Sequence, residues 1–172
     1  FLFEPIQGEA GVIIPPNGYL RKARRLCDTY RVLMCADEIQ TGLGRTGALF
    51  ACDHERVVPD LYVLGKALSG GLYPISAVAA NDEILGLFQP GTHGSTFGGN
   101  PLACAIGSAA IGVLLSEHLP RRAAKIGAFL LERLKGLHHP CLREVRGRGL
   151  LLALEFDAPV RPLIEGLMKR GL

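Results

Sequence analysis

Short apolar runs alternate with a helical stripe through the first part of the chain. Apolar residues fill positions 1–3, 32–36 and 61–64, and runs of this length and continuity favour strands buried in a parallel sheet. Between the first two runs, residues 19–30 carry apolar side chains at the spacing of one helix face, with arginines opposite. This order predicts an α/β fold with a mostly parallel sheet and flanking helices.

The rest of the chain is predicted to be largely helical and to end in a second set of strands. Residues 102–115 carry Ala, Gly and larger apolar residues around the whole circumference, which predicts a helix buried on several sides. Residues 119–137 show one apolar stripe and predict an amphipathic helix. The remaining predicted elements are a strand at 74–80, a short helix at 82–88, two strands at 142–145 and 150–156, and a last helix at 160–170.

Each of the three predicted parallel strands is followed by residues that could carry chemistry. Glu4 and Glu9 lie in the loop after the first strand. Asp37 ends the second strand, before a glycine-rich segment at 42–47 that predicts a flexible loop, and Lys66 follows the third. Ligands of open α/β sheets bind outside the carboxyl ends of the strands. We therefore expect these side chains to line one cleft, with the lysine amine partly desolvated.

Composition narrows the classes of protein that this chain can represent. The 172 residues are 48% hydrophobic and 20% charged, which is ordinary for a globular domain. A net charge of +3 without a long basic run argues against a nucleic-acid partner. The longest apolar stretch, at 101–115, is too short to span a membrane.

The cysteines and histidines show no pattern of a disulfide framework or a metal site. Five cysteines are scattered without a CxxC spacing, and five histidines show no ligand spacing. Reduced thiols predict a reducing compartment, which is the cytoplasm, or the mitochondrial matrix for a eukaryotic protein. The chain opens on Phe1 in what reads as a strand already under way, which predicts a piece of a longer protein.

Asp37 and Lys66 have three interpretations from the residues alone. Lys66 can be a surface lysine whose stem lies along the sheet edge. It can form a partly buried salt bridge with Asp37. The pair can also hold pyridoxal phosphate, whose aldehyde bonds to a lysine and whose ring nitrogen an acid keeps protonated. That interpretation needs an anion site for the phosphate, for which Ser95 and Thr96 in the polar loop 90–101 are candidates.

Four ordered motifs carry more information than this spacing. They are Glu-Pro-Ile-Gln-Gly-Glu at 4–9, Ala-Asp-Glu-Ile-Gln-Thr-Gly at 36–42, Gly-Lys-Ala-Leu-Ser-Gly-Gly at 65–71 and Gly-Ser-Thr-Phe-Gly-Gly-Asn-Pro at 94–101. Together they resemble the class III aminotransferases, of the fold-type I pyridoxal phosphate family, over essentially the whole chain. The resemblance implies that residues 1–138 are the C-terminal part of the cofactor-binding large domain. Residues 139–172 would then begin the small α+β C-terminal domain.

The resemblance also implies roles for individual residues around pyridoxal 5'-phosphate. Lys66 is similar to the lysine that forms the Schiff base and then moves the proton between substrate and cofactor carbons. Asp37 matches the acid that partners the pyridine nitrogen, and Gln40 matches the glutamine near the phenolic oxygen. Thr96, with Ser95 beside it, matches the hydroxyl that reaches the phosphate of the neighbouring subunit. This implies a homodimer with shared active sites.

The expected substrates are an amino donor and a 2-oxo acid. Glu9 matches the family's glutamate that pairs with an arginine while the donor is bound and releases it for the carboxylate of the 2-oxo acid. That arginine is expected beyond Leu172, and the main phosphate loop before Phe1, so the 172 residues alone are expected to be inactive.

The sequence indicates the amino donor less specifically than it indicates the family. The Gly-Leu-Tyr-Pro segment at 71–74 looks most like family members that transfer the side-chain amine of ornithine to 2-oxoglutarate, giving glutamate semialdehyde and glutamate. Members acting on N-acetylornithine or 4-aminobutyrate are the alternatives, as is an aminomutase acting on a semialdehyde. A catalytically inactive module that keeps the fold is a further alternative.

Overall fold

The computed structural model describes all 172 residues and has an α/β architecture. Four strands form one sheet in the order β1 (Leu2–Phe3), β2 (Cys35–Asp37), β3 (Leu61–Leu64) and β4 (Ala77–Ala80). The first three strands are parallel, and β4 pairs with β3 in the antiparallel direction. The mostly parallel sheet predicted from the apolar runs is therefore present.

The helices follow the predicted order, with bounds that differ by a few residues at most places. The α-helices are α1 (Tyr19–Tyr30), α2 (Asp82–Leu85), α3 (Pro101–Ser116), α4 (Leu119–Lys135) and α5 (Arg161–Met168). Two 3₁₀ helices lie at Ala51–Glu55 and Lys66–Ser69. A separate antiparallel hairpin is formed by β5 (Leu142–Arg148) and β6 (Leu151–Phe156).

Two clusters of buried side chains hold the helices against the sheet. The first joins α1 to β2 and is centred on Met34 and Ala36, which are completely buried. The second joins β3 to α3 through Leu64, Leu68 and Leu114. The apolar runs supply Met34, Ala36 and Leu64 to these clusters, whereas Leu2 and Leu33 of the same runs are exposed.

Helix α3 is less buried than its apolar composition predicts. Its contact face holds Ala103, Gly107 and Leu114, which pack towards the 3₁₀ helix at 66–69 and its surroundings. Leu102 on the same helix is 58% exposed. The expectation of burial on several sides is therefore wrong for this chain, because the helix is apolar all round but only one face is covered.

The glycine-rich segment at 42–47 is packed, which corrects the expectation of a flexible loop. Thr41 and Thr46, at its two ends, are almost completely buried. Its backbone is also paired, since Gly42 N donates to Glu38 O at 2.9 Å and Leu150 N donates to Arg45 O at 2.9 Å. Glycine is required here for close approach, and a side chain on Gly42 would lie 2.8 Å from a backbone oxygen.

The turn of the C-terminal hairpin lies wedged between helix α4 and this packed segment. A Cβ on Gly149 would lie 2.3 Å from the carbonyl carbon of Thr46, and a Cβ on Gly127 of α4 would lie 1.9 Å from the oxygen of Gly149. The hairpin is thereby fixed against the first part of the chain. The domain boundary between residues 138 and 139 stays a prediction.

The packing of the hairpin against α4 gives a testable stability effect. We expect Gly127→Ala to lower the free energy of unfolding by about 1–3 kcal/mol, because the new methyl group overlaps backbone that has no room to move. Gly136→Ala, at the residue that directly follows the same helix, is the control, since a Cβ there meets its nearest atom at an ordinary 3.4 Å. Urea titration of the full-length variants measures both, and equal midpoints would contradict the close packing.

Candidate active site at the carboxyl edge of the sheet

Asp37 and Lys66 lie at the carboxyl ends of neighbouring parallel strands. Asp37 is the last residue of β2 and is in register with Val63 of β3. The ladder continues one step further, since Glu38 N donates to Val63 O at 3.0 Å. Adjacent strands are about 4.8 Å apart. The two side chains therefore start from one edge of the sheet, as the strand pattern predicts.

The Asp37 carboxylate is only partly used within the chain. The residue is half-buried, and its Oδ1 accepts a hydrogen bond from Ile39 N at 3.0 Å. No other hydrogen bond reaches the carboxylate, and no ion pair joins it to Lys66. The interpretation of the pair as a simple salt bridge is therefore wrong, and one carboxylate oxygen stays free for a further partner.

Lys66 combines an unusual backbone conformation with an exposed side chain. Its φ of +42° lies in the left-handed region, which costs a residue with a Cβ about 1–2 kcal/mol. Backbone outliers of this kind cluster at functional sites. Its amine makes no hydrogen bond or ion pair within the chain. The expected partial desolvation is wrong here, because the chain turns into the 3₁₀ helix at Lys66 and none of these 172 residues covers the amine.

Gln40 and Glu9 come together although they follow different strands. Gln40 Nε2 donates a hydrogen bond to Glu9 Oε1 at 3.1 Å. The Gln40 side chain occupies the space that a Cβ on Gly8 would need, so Gly8 permits the contact. Glu4 supports the same loop, since its Oε2 accepts a hydrogen bond from Gly8 N at 2.9 Å. The loops after β1 and β2 are therefore joined beside Asp37.

Ser95 and Thr96 lie apart from these residues. Both are exposed in the loop between α2 and α3, and Ser95 Oγ accepts a hydrogen bond from Gly98 N at 2.9 Å. No hydrogen bond connects the loop to the strand-edge residues. Within one chain the predicted phosphate ligands are therefore not hydrogen-bonded to the other predicted site residues, and their role stays a prediction.

Glu38 is a residue of the site that the sequence analysis did not single out. Its side chain is buried, with 1% of the residue exposed, and its carboxylate accepts hydrogen bonds from Thr41 Oγ1, Ala51 N and Cys52 N at 2.5–3.0 Å. These bonds fix the turn that carries Gln40. Burial, together with the adjacent Glu38 charge, raises the pKa of the Cys52 thiol, which therefore stays neutral. The only sequence feature that could have indicated this role of Glu38 is the Thr three positions after it.

Removal of the Glu38 charge is expected to weaken this turn. In Glu38→Gln one accepting oxygen is replaced by an NH2 group, which is a donor. Because the three neighbouring groups are donors too, at least one buried hydrogen bond is lost. We expect the free energy of unfolding to fall by about 1–3 kcal/mol. Glu132→Gln on the exposed side of α4 is the control and should stay within about 0.5 kcal/mol. Thermal unfolding of the full-length proteins measures the difference, and an unchanged midpoint for Glu38→Gln would refute the role.

No group of three or more His, Cys, Asp or Glu side chains is arranged to hold a metal ion. No single helix combines the length and the apolar character needed to cross a membrane, and α3 and α4 meet that test only as a pair bent by 63°.

The whole chain, residues 1–172, matches the family model for class-III aminotransferases. The chain therefore belongs to the class-III aminotransferase family, and the predicted family is confirmed. Curated relatives of the chain carry a more specific name. It is 57% identical over 172 residues to the ornithine aminotransferase of Geobacillus sp. (strain WCH70), covering 100% of this chain and 43% of that protein.

Solved structures with the same fold carry two different names. The ornithine aminotransferase from Toxoplasma gondii ME49 matches with a TM-score of 0.96 and 48% identity, over 99% of this chain and 42% of that one. The acetylornithine aminotransferase from Elizabethkingia anophelis matches with a TM-score of 0.96 and 49% identity, over 100% and 45%. The fold class is therefore confirmed, and the chain spans less than half the length of these relatives.

Proposed function

We propose that the protein to which this chain belongs is a pyridoxal phosphate-dependent aminotransferase that acts on L-ornithine. It would transfer the side-chain amine to 2-oxoglutarate and give glutamate semialdehyde and glutamate. The observation that carries the proposal is the placement of Asp37 and Lys66 at neighbouring strand ends, each with an unpaired polar group. Family membership and the names of the relatives support the same reaction class.

The residues at the strand edge fit the cofactor in their chemistry. A free carboxylate oxygen on Asp37 suits a protonated ring nitrogen, and an unpaired, accessible amine on Lys66 suits an aldehyde. When bound, pyridoxal phosphate supplies that aldehyde and a ring that accepts electrons from a carbanion. The positive φ at Lys66 is a local cost that a purely structural lysine would not need.

Each side chain then has a defined task in a ping-pong reaction. The Lys66 amine would hold the cofactor covalently between turnovers and, once substrate has displaced it, would serve as the base that moves the substrate proton. The Asp37 carboxylate would hold the ring nitrogen of the cofactor in its protonated form. Gln40 would lie near the phenolic oxygen of the ring, at the end of the turn that Glu38 fixes.

Glu9 would allow the same site to accept ornithine in one half-reaction and a dicarboxylate in the other. Its carboxylate would pair with an arginine of the whole protein while ornithine is bound, so that this arginine does not attract the second carboxylate of glutamate. The hydrogen bond from Gln40 keeps Glu9 at the strand edge in the meantime. Removal of Glu9 would therefore favour dicarboxylate substrates over ornithine.

The exposure of the polar loop after α2 supports a role for it in a neighbouring subunit. Ser95 and Thr96 are exposed and make no hydrogen bond with the strand-edge residues of their own chain. We propose that Thr96, with Ser95 beside it, contributes to the phosphate site of the neighbouring subunit in a homodimer.

N-acetylornithine is the second candidate donor, since the acetylornithine aminotransferase of Elizabethkingia anophelis has the same fold at 49% identity. The test is a donor comparison with the full-length enzyme loaded with cofactor and 2-oxoglutarate as acceptor. We expect kcat/KM for L-ornithine to exceed that for N-acetylornithine and 4-aminobutyrate by at least about tenfold, with glutamate semialdehyde as the product. A higher value for N-acetylornithine would assign the alternative, and no transamination with any donor would refute the proposed function.

A further inference from the structure

Arg146 of the C-terminal hairpin reaches across to the loop that carries Glu9. Its Nε donates a hydrogen bond to the backbone oxygen of Gly11 at 2.9 Å, although the two residues are 135 positions apart. Its Nη1 lies 2.8 Å from a Glu144 oxygen and 2.5 Å from a Glu155 oxygen. Only 16% of the side chain is exposed. One guanidinium group therefore joins two carboxylates of the hairpin to the tip of the loop.

The loop it holds is a short hairpin with Glu9 in its turn. Gln7 and Ile13 pair as an antiparallel bridge at its base, and the oxygen of Gly8 accepts hydrogen bonds from Gly11 N and Val12 N. Gly11 has a φ of +113°, and a Cβ there would lie 3.1 Å from Arg146 Nη2. The Gly11 oxygen is fixed by Arg146, so the position of the turn depends on a group outside the loop.

The hairpin that carries Arg146 is held rigidly by its packing. The turn that follows Arg146 lies wedged between α4 and Thr46 through the close approaches of Gly127 and Gly149. The hydrogen bond from Arg146 also lowers the pKa of Glu155, whose carboxylate therefore stays charged. Because Nη1 of Arg146 pairs with both Glu144 and Glu155 of the packed hairpin, the guanidinium gives the loop a fixed point of attachment.

We propose that Arg146 is the positioning residue for Glu9 and thereby sets the preference of the enzyme for ornithine over dicarboxylate donors. The inference rests on the proposed function and deepens it. Arg146 acts through the Gly11 backbone on the turn that carries Glu9, and the hydrogen bond from Gln40 holds the Glu9 side chain itself. Small displacements of a positioned group cost large factors in rate.

Arg143 on the same strand supplies a matched control. It also pairs with Glu155, at 3.2 Å, but its side chain is exposed and forms no hydrogen bond or ion pair with the Glu9 loop. A general role of hairpin charge would affect Arg143→Gln and Arg146→Gln alike. A positioning role affects only Arg146→Gln.

The test uses the full-length, cofactor-loaded enzyme and the half-reactions with L-ornithine and L-glutamate, followed by absorbance of the cofactor. We expect Arg146→Gln to lower the ratio of kcat/KM for ornithine to kcat/KM for glutamate about tenfold, and Arg143→Gln to leave it within about twofold. Arg146→Lys, which keeps the charge but not the guanidinium fork, should recover part of the ratio. In a Glu9→Ala background, Arg146→Gln should change the ratio no further.

Hydrogen exchange of the same proteins gives a readout independent of turnover. The amides of Gly11 and Val12 should exchange faster in Arg146→Gln, and in Arg146→Lys if the glutamine variant does not fold, but not in Arg143→Gln. An unchanged ratio, or equal shifts with and without Glu9, would overturn the positioning role while leaving the proposed function intact. If the wild-type enzyme does not react with ornithine at all, the proposed function itself fails, and the role of Arg146 fails with it.

Discussion

Lys66→Ala in the full-length enzyme is expected to lose transamination almost completely. The substitution removes both the amine that bears the cofactor and the base that moves the proton, and positioned proton transfer alone contributes about 10²–10⁴-fold. We therefore expect kcat to fall by at least about 10⁴-fold when both losses combine. Steady-state kinetics with ornithine and 2-oxoglutarate measure the change.

The structure predicts that this loss is chemical and not a loss of fold. The Lys66 side chain is exposed and has no partner within the chain, so its removal breaks no packing. The unfolding midpoint of the cofactor-free variant should therefore stay close to that of cofactor-free wild type. Lys125→Ala on the exposed face of α4 is the control and should keep full activity. A Lys66→Ala enzyme with more than about 1% of wild-type kcat would refute the role of the lysine.

Asp37→Asn is expected to have the second largest effect. Asparagine keeps the size of the side chain and can still accept the hydrogen bond from Ile39 N through its Oδ1. It cannot hold a proton on the ring nitrogen by charge, so the cofactor would lose part of its ability to accept electrons. Loss of one preorganised electrostatic group costs about 10²–10³-fold in kcat.

The control for Asp37→Asn distinguishes the loss of a charge at the site from a change in the net charge of the protein. Asp157→Asn removes the same charge from an exposed acid that lies 3.9 Å from Arg143, and should leave kcat unchanged. Stability should change little in either variant. Equal kcat in Asp37→Asn and wild type would mean that the acid at the end of β2 does not contact the ring.

The sequence was sufficient for the sheet and for the edge where the site lies. Apolar continuity alone located β3 at Leu61–Leu64, and helical spacing located α1 at Tyr19–Tyr30. Because the strands are parallel and adjacent, the placement of Asp37 and Lys66 at one edge followed from their positions after the runs. Local sequence patterns are enough to predict an element when the elements that pack against it are its nearest neighbours.

Contacts between distant segments could not be predicted in the same way. The N-terminus of α1 is capped by Glu55, whose carboxylate accepts hydrogen bonds from Gly18 N and Arg21 N at 2.8 and 3.2 Å. The Arg146 contact with Gly11 spans 135 positions. Neither pair has a spacing that a periodic pattern would reveal, because each depends on how complete elements pack.

Glycine content gave the most misleading signal. Residues 42–47 predict flexibility by composition, but their glycines permit close backbone contact with the elements around them. The exposure of Lys66 and of α3 has a related cause. The sequence around Lys66 and along α3 is typical of buried positions, but these 172 residues bury only part of each.

The central claim is that Lys66 is the residue that bears the cofactor, and borohydride reduction tests it most directly. The full-length enzyme is loaded with pyridoxal phosphate, reduced, digested and examined by peptide mass spectrometry. We predict that the added cofactor mass is found on the peptide that contains Lys66 and is absent from the Lys66→Ala protein. Stoichiometric label on another lysine, such as Lys22 or Lys125, or the same label in Lys66→Ala, would contradict the assignment of this site.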